Sequence, residues 1–306
     1  MKQLLYKMKR KFIKRYEPEK YESGHFYSVI PSKEYIRSKR DIIFSKKDEL
    51  QGIDINKEEQ VQVLKNFLSL AEEVPFYAEA KKIRFNVNNV TFTYDDAPIL
   101  HYFMRTIKPK RIIEIGSGNS SAVMLDTDEL YLEKSVKFTF IDIDCSNLKK
   151  NLKPEDYKNV TIIEKPVQEI DSELFKELEP NDLLFIDSSH VIKMGSDLHT
   201  IFFKFLPLLK PGVFIHFHDI RFPFEYSEEL IDKKVFWNEA YLLRAFLQYN
   251  KDFKIYFWLN YLVNLNDKEL DQYLNKLPLK DVLKVFNFGG DDISGAGGSI
   301  YITKVN

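Results

Sequence analysis

The sequence predicts an α/β protein built around a mostly parallel sheet, and three observations carry that prediction. From Arg111 onward, short apolar runs alternate with segments of helical periodicity, the pattern of βαβ units. The first apolar run ends in a tight turn, Gly116-Ser117-Gly118, that opens a helix. The later runs end in acids and histidines, and ligands of open parallel sheets bind beyond those ends.

The elements follow in order. Residues 1–88 read as a helical N-terminal extension and 89–306 as the α/β domain. In the basic segment 1–22, Leu4, Leu5, Met8 and Phe12 share one helical face, with Lys7, Lys9, Arg10, Lys11, Lys14 and Arg15 around it. Its charges interrupt any apolar stretch too early for a signal peptide. Two readings stand: a solvated helix, or a peripheral contact with an anionic membrane or a partner protein. Val61, Val63, Leu64, Phe67, Leu68 and Leu70 give 57–80 a near-helical pattern. An acid N-cap and Pro98 start a helix near Asp96, and Lys108-Pro109-Lys110 ends it. Strands are predicted over 111–115, 136–143, 160–164, 182–187, 213–218, 253–259 and 299–304. Helices are predicted over 121–132, 146–152, 172–178, 194–209 and 237–249. An insertion spans 262–298, with a helix over 267–277 and then Gly289, Gly290, Gly295, Gly297 and Gly298 within ten residues. It reads either as a mobile loop or as a flap over the acceptor.

Bulk properties bound the function. The 306 residues are 44% hydrophobic and 30% charged, as in soluble globular proteins. A net charge of −1 demands no nucleic acid partner. The single cysteine, Cys145, excludes an internal disulfide and any multi-cysteine metal site, and points to a reducing, cytoplasmic setting. No run of about 18 apolar residues exists, so no membrane span is expected.

The glycine turn is the strongest local signal. Gly116 and Gly118 let a ligand approach the backbone, and the helix start that follows (Ser120, Ser121) offers N–H groups to an anion. That anion is a phosphate in dinucleotide folds and a carboxylate in S-adenosylmethionine. Ser121 stands where a third fingerprint glycine would be, which argues against NAD or FAD. Glu114 would repel a pyrophosphate but accept from an amino group. Asp142, ending the second strand, suits the ribose hydroxyls of an adenosine, while Asp144 suits a helix cap. Val167 and Gln168 suit the adenine.

The fourth strand runs into Asp187-Ser188-Ser189-His190, with Ser188 beside the cofactor, and the fifth into His216-Phe217-His218-Asp219. Asp187, His218 and Asp219 can converge on one divalent cation, Mg or Mn by their oxygen-rich set. His190 can take a proton from an acceptor hydroxyl. The blander reading makes His190 a hydrogen-bonded core group and Asp219 a turn residue.

These residues resemble the class I methyltransferases, specifically the branch labelled Methyltransf_24. Phe26-Tyr27-Ser28-Val29-Ile30-Pro31, Tyr94-Asp95-Asp96-Ala97, Ile113 through Ala122, Phe185 through His190, Gly195-Ser196-Asp197, Pro211-Gly212-Val213, His216 through Ile220, Pro223-Phe224-Glu225-Tyr226 and Trp237-Asn238-Glu239 carry the resemblance, over roughly 25–260. It implies S-adenosylmethionine as cofactor and a Rossmann-like seven-stranded sheet whose last strand is antiparallel. It also implies O-methylation of a sugar hydroxyl in glycan or polysaccharide biosynthesis, with a divalent metal. Catechol-type relatives place an aspartate, a base three residues on, and an acid with its neighbour at the positions of Asp187, His190 and His218-Asp219. Here the pair is His-Asp rather than acid-amide. The aromatics Phe222, Phe224, Tyr226 and Trp237 either stack on a pyranose or belong to the core. Other readings are a catechol-like small-molecule acceptor, a nucleotide-dependent oxidoreductase, and a non-catalytic binding or scaffold protein; a homo-oligomer is compatible with each.

Overall fold

Seven strands form one sheet in the order β3-β2-β1-β4-β5-β7-β6. They are β1 (Arg111–Ile115), β2 (Lys137–Asp142), β3 (Val160–Glu164), β4 (Leu183–Ile186), β5 (Phe214–Phe217), β6 (Phe253–Trp258) and β7 (Ile300–Lys304). The first five are parallel, and β7 runs antiparallel between β5 and β6. The strand order reverses between β1 and β4, the switch point where such sheets bind ligands. Both β4 and β5 are buried along their whole length; β4 is wholly apolar and β5 is apolar but for His216. The computed structural model describes residues 20–45, 50–77, 83–89, 91–92, 96–265, 267–276 and 297–306.

By compactness the chain divides into two units. Described residues 20–45 form a small unit with Ser227–Phe236. It holds α1 (Lys33–Ser38), α2 (Arg40–Ile43) and the later helix Glu228–Asp232. Ser32 caps α1 by accepting from the N–H of Tyr35, and Arg40 pairs with Glu228 at 2.6 Å. All other described residues form the larger unit. The basic segment's expected helix and surface contact lie outside the described residues, as do Gly289, Gly290 and Gly295 and residues 277–296 of the insertion read as a loop or a flap. Among the described residues no helix is long and apolar enough to cross a membrane.

In the larger unit, α3 (Lys57–Leu68) lies along β6. Phe67 meets Phe257 edge-on at 4.9 Å, and the buried Gln60 amide accepts from the Trp258 N–H at 2.8 Å. Helices α4 (Asp96–Ile107) and α5 (Asn119–Tyr131) are buried over 96–104 and 120–128 and flank the sheet. Short helices α6 (Ser146–Asn151) and α7 (Glu173–Lys176) follow β2 and β3.

The helix predicted over 194–209 is broken. It begins as α8 (Asp197–Thr200), widens to a π-turn at Ile201–Phe205, and tightens to a 3-10 turn at Leu206–Leu208. Gly195, at φ +70°, places the start later, and Ser196 caps it by accepting from His199. Pro207 has no N–H to continue the α-helical ladder. Past α9 (Glu228–Asp232) comes α10 (Glu239–Leu247). The strand predicted to Leu259 ends at Trp258, and Leu259–Asn264 forms α11; a continuous apolar run does not separate strand from helix by periodicity. The last helix is α12 (Lys268–Leu274).

Before α4, the segment entering the sheet is fastened by a buried charge. The Arg84 side chain is 2% exposed and pairs with Asp126 at 2.8 Å, Glu129 at 2.6 Å and Asp156 at 2.5 Å. Removing one member of such a group strands the others in low dielectric. Arg84→Met is therefore expected to lower the unfolding free energy by about 3–5 kcal/mol in urea denaturation. A loss below about 1 kcal/mol, the level of a surface pair, would show that the carboxylates do not depend on it.

Candidate active site

The site grows from a collision that only glycine avoids. Gly116 sits at φ +86°, and a Cβ there would lie 1.7 Å from the carbonyl oxygen of Asp187. The end of β1 thus touches the end of β4, and the Asp187 N–H donates to Ile115 at 2.9 Å. Gly118 differs: nothing lies within 4 Å of its missing Cβ. The hydroxyls of Ser117 and Ser188 flank this turn, buried and without hydrogen-bond partners. Open space above a glycine and two orphaned hydroxyls fit a ligand seated on the turn.

The acids nearby are already engaged. Glu114 is fully buried, and its two oxygens accept from the hydroxyls of Ser120 (2.5 Å) and Ser121. Burial pushes its carboxyl up to about 8, against those two hydroxyls. These bonds tie β1 to the first turn of α5. Asp142 accepts from the N–H groups of Ser117 (2.8 Å) and Asp144 (3.0 Å), which fixes it at the turn with lone pairs to spare. Asp144 caps α6 through the Ser146 N–H. Val167 is buried, and Gln168 donates its amide to the Gly195 carbonyl at 3.0 Å.

Beyond β4 and β5, four side chains converge. The His190 Nε2 lies 3.4 Å from Asp187 and 3.6 Å from Asp219. The His218 Nδ1 lies 3.6 Å and 3.5 Å from the same two carboxylates. Both His190 and Asp219 adopt the left-handed backbone region, at φ +58° and +57°. At Asp219 this accompanies the arrival of β7: a Cβ on Gly298 would lie 2.7 Å from the Asp219 Cα, and Ile220 donates to the Gly298 carbonyl. Gly297 and Gly298 of the predicted glycine-rich loop are close-packing residues against Asp96 and Asp219.

Two residues of this cluster escaped sequence reading. Glu239, at the first turn of α10 and 1% exposed, meets the His190 Nδ1 at 2.8 Å. Asp96, read as a helix cap, is buried; it accepts from Ser299 at 2.6 Å and turns its other oxygen toward the His218 Nε2 at 3.5 Å. Acids inside otherwise apolar helical segments were the available signal. His216, two residues from His218, belongs to the core: it stacks on Phe185 at 3.8 Å, and burial holds it neutral.

Asp187, His218 and Asp219 each bring one ligand atom within 4.8 Å of the others. Both ring nitrogens of His218 are buried without hydrogen-bond partners. An orphaned imidazole nitrogen between two carboxylate oxygens fits a divalent cation, with Asp96 behind the ring as orienting carboxylate. In the protein alone, protons take that role. Burial disfavours charge on His190, but Asp187 and Glu239 raise it to about 10. Burial likewise opposes charge on His218, and Asp187, Asp96 and Asp219 hold it well above its ordinary value. Burial would raise Asp219, yet His218 and His190 bring it down to about 2.

The family described as a methyltransferase domain matches residues 113–220. An uncharacterised protein of Archaeoglobus fulgidus is 32% identical over 164 residues, which are 52% of this chain and 73% of that protein. The methyltransferase PaMTH1 of Podospora anserina, bound to S-adenosylhomocysteine, aligns over 91% of this chain and 99% of that one, at 15% identity and a TM-score of 0.42. A cmcI structure with Mg and S-adenosylmethionine aligns over 78% and 84%, at 16% identity and a TM-score of 0.40.

The charge balance sets a pH dependence. His190 has a folded-state pKa above its unfolded value of about 6.5, so its contribution to stability is whole below about pH 6.5 and is lost as pH rises toward 10. Asp219 is depressed, so its contribution holds above about pH 3.9 and is lost as pH falls toward 2. Urea midpoints are expected to decline from pH 7 to 10, and less steeply in His190→Asn. Equal slopes in the two proteins would remove His190 from the balance.

Proposed function

The chain belongs to the methyltransferase-domain family, the class I enzymes that use S-adenosylmethionine, and on that premise we propose that it methylates a hydroxyl oxygen of a sugar in glycan or polysaccharide biosynthesis. The observation that carries this reading is the contact between the glycine turn and the Asp187–His190–His218–Asp219 cluster. A methyl sulfonium seated over Gly118 and Ser117 would face groups suited to holding a hydroxyl.

In this reading the turn and Asp142 bind the cofactor, with Ser117 and Ser188 supplying the free hydroxyls. Asp187 and Asp219 orient the acceptor. The acceptor oxygen bonds to the methyl carbon as the carbon–sulfur bond breaks, leaving a thioether, and His190 receives the hydroxyl proton. Alignment of nucleophile and methyl supplies much of the rate, because the transfer needs no covalent enzyme intermediate. As a cation His190 cannot take that proton, so it acts as base only when the charge of Asp187 and Asp219 is compensated. A divalent cation bound by Asp187, His218 and Asp219 supplies Lewis acidity toward the acceptor oxygen.

The sugar preference rests on the family resemblance and on Trp237. Phe224 and Tyr226 are 1% and 8% exposed and belong to the core, and Phe222 packs against Trp258 and Tyr261. Trp237 is half-buried with its ring 4.3 Å from that of His190, and in this reading it would stack on a pyranose. A catechol-like ring would use the same face, so the acceptor panel must contain both.

Calorimetric titration is expected to show micromolar binding of S-adenosylmethionine and S-adenosylhomocysteine and none of NAD. Methyl transfer is then expected on sugar acceptors ahead of catechols, with loss of turnover in EDTA and recovery with Mg or Mn. Binding of NAD, or cofactor binding without any turnover, would favour the oxidoreductase or scaffold readings, and turnover indifferent to EDTA would remove the metal. Gly118→Ala fills the open space over the turn. It is expected to weaken S-adenosylhomocysteine at least about tenfold, roughly 1.4 kcal/mol, while shifting the melting temperature by no more than a few degrees. Unchanged affinity would place the ligand elsewhere.

A further inference from the structure

The loop after β4 is fastened to the start of α10 twice, by backbone and Asn238 bonds and by the His190–Glu239 pair. The backbone carbonyl of His190 accepts from the N–H groups of Asn238 (3.0 Å) and Glu239 (3.2 Å). The Asn238 side chain accepts from the Ile192 N–H at 2.7 Å and donates to its carbonyl at 3.2 Å. These four bonds join loop to helix without any help from the His190 or Glu239 side chains.

The second fastening is of another kind. A carboxylate is buried at 1% exposure, one oxygen on the His190 Nδ1 at 2.8 Å, the other without a partner. A buried carboxylate with an orphaned oxygen is costly, and a residue serving only as a cap would be smaller and wetter. The N-terminal turn of α10 favours negative charge, which is what allows a carboxylate to stay there. Trp237 closes one side of the imidazole.

The geometry assigns Glu239 a positioning role: it holds the Nδ1 proton of His190, and so aims Nε2 at the space between Asp187 and Asp219. The role rests on the hydroxyl-methylation reading, because it is there that Nε2 meets the acceptor's proton. Glu239 itself touches neither ligand. It fixes which nitrogen faces the reaction and at what angle, as outer carboxylates do for imidazoles elsewhere. Asp96 stands behind His218 in a looser version of the same relation, so each imidazole of the cluster has its own carboxylate at its back.

The test uses the full chain labelled with ¹⁵N-histidine and bound to S-adenosylhomocysteine, with His190 assigned by its disappearance in His190→Asn. A buried Nδ1–H bonded to a carboxylate gives a far-downfield, slowly exchanging proton resonance. Glu239→Gln is expected to move that resonance upfield or abolish it. It should also lower kcat about 10- to 100-fold while leaving acceptor KM and S-adenosylhomocysteine affinity within about twofold. In a His190→Asn background, Glu239→Gln should cost nothing further, because its effect passes through the imidazole. If Glu239→Gln does not fold, the resonance in the native protein and its loss in His190→Asn carry the test, and its absence from the native protein overturns the assignment. An unmoved resonance, an undiminished kcat, or an equal loss in both backgrounds overturns it as well. If the resonance moves but no hydroxyl acceptor is turned over by any form, the reaction reading falls and Glu239 remains the group that orients His190.

Discussion

Two carboxylates, Asp187 and Asp219, stand between two imidazoles beyond β4 and β5, and the charges of His190, His218 and Asp219 depend on one another. Isolated ions in such a place would neutralise themselves, because burial penalises charge far more than a single distant partner repays. Together they share the penalty. His190 and His218 are held protonated and Asp219 ionised, and Glu239 and Asp96 back the two rings from outside. Such an arrangement tolerates the exchange of positive charge, proton for metal ion, but not its removal.

The fold serves that cluster by bringing strand ends together. Parallel strands β1, β4 and β5 finish on one edge, and the order reversal between β1 and β4 opens a crevice there. Gly116 lets the first turn rest directly on the Asp187 backbone, so the glycine turn and the Asp187–Asp219 cluster form one continuous surface. Glu114 shows how much of this surface is construction. Its carboxyl accepts from the two serines of the next helix turn and so fastens the helix start to β1.

Much of this was legible from the amino acids because it is local. The strand Arg111–Ile115, its glycine turn and the acids after β2 and β4 are contiguous signals, and so is the His218-Asp219 pair. What was illegible is long-range. Glu239 lies 49 residues from His190, and nothing in the spacing shows that a broken helix and a loop will set them 2.8 Å apart. Asp96 was read as a cap because an acid before a helix is commonly one. Its second role appears only when Ser299, 203 residues later, arrives beside it. The predicted helix over 194–209 failed for a local reason that was visible but underweighted, since Gly195 and Pro207 both argue against an unbroken run.

The place of β7 has a consequence for how the molecule is made. This strand is inserted between β5 and β6, and the two residues that precede it, Gly298 and Ser299, pack against Asp219 and Asp96. A nascent chain that has emerged only as far as β6 therefore carries two unsatisfied strand edges and a half-built charge cluster. Such edges are sites of non-native pairing and aggregation. Placement of β7 therefore completes the sheet and the surroundings of Asp219 and Asp96 together.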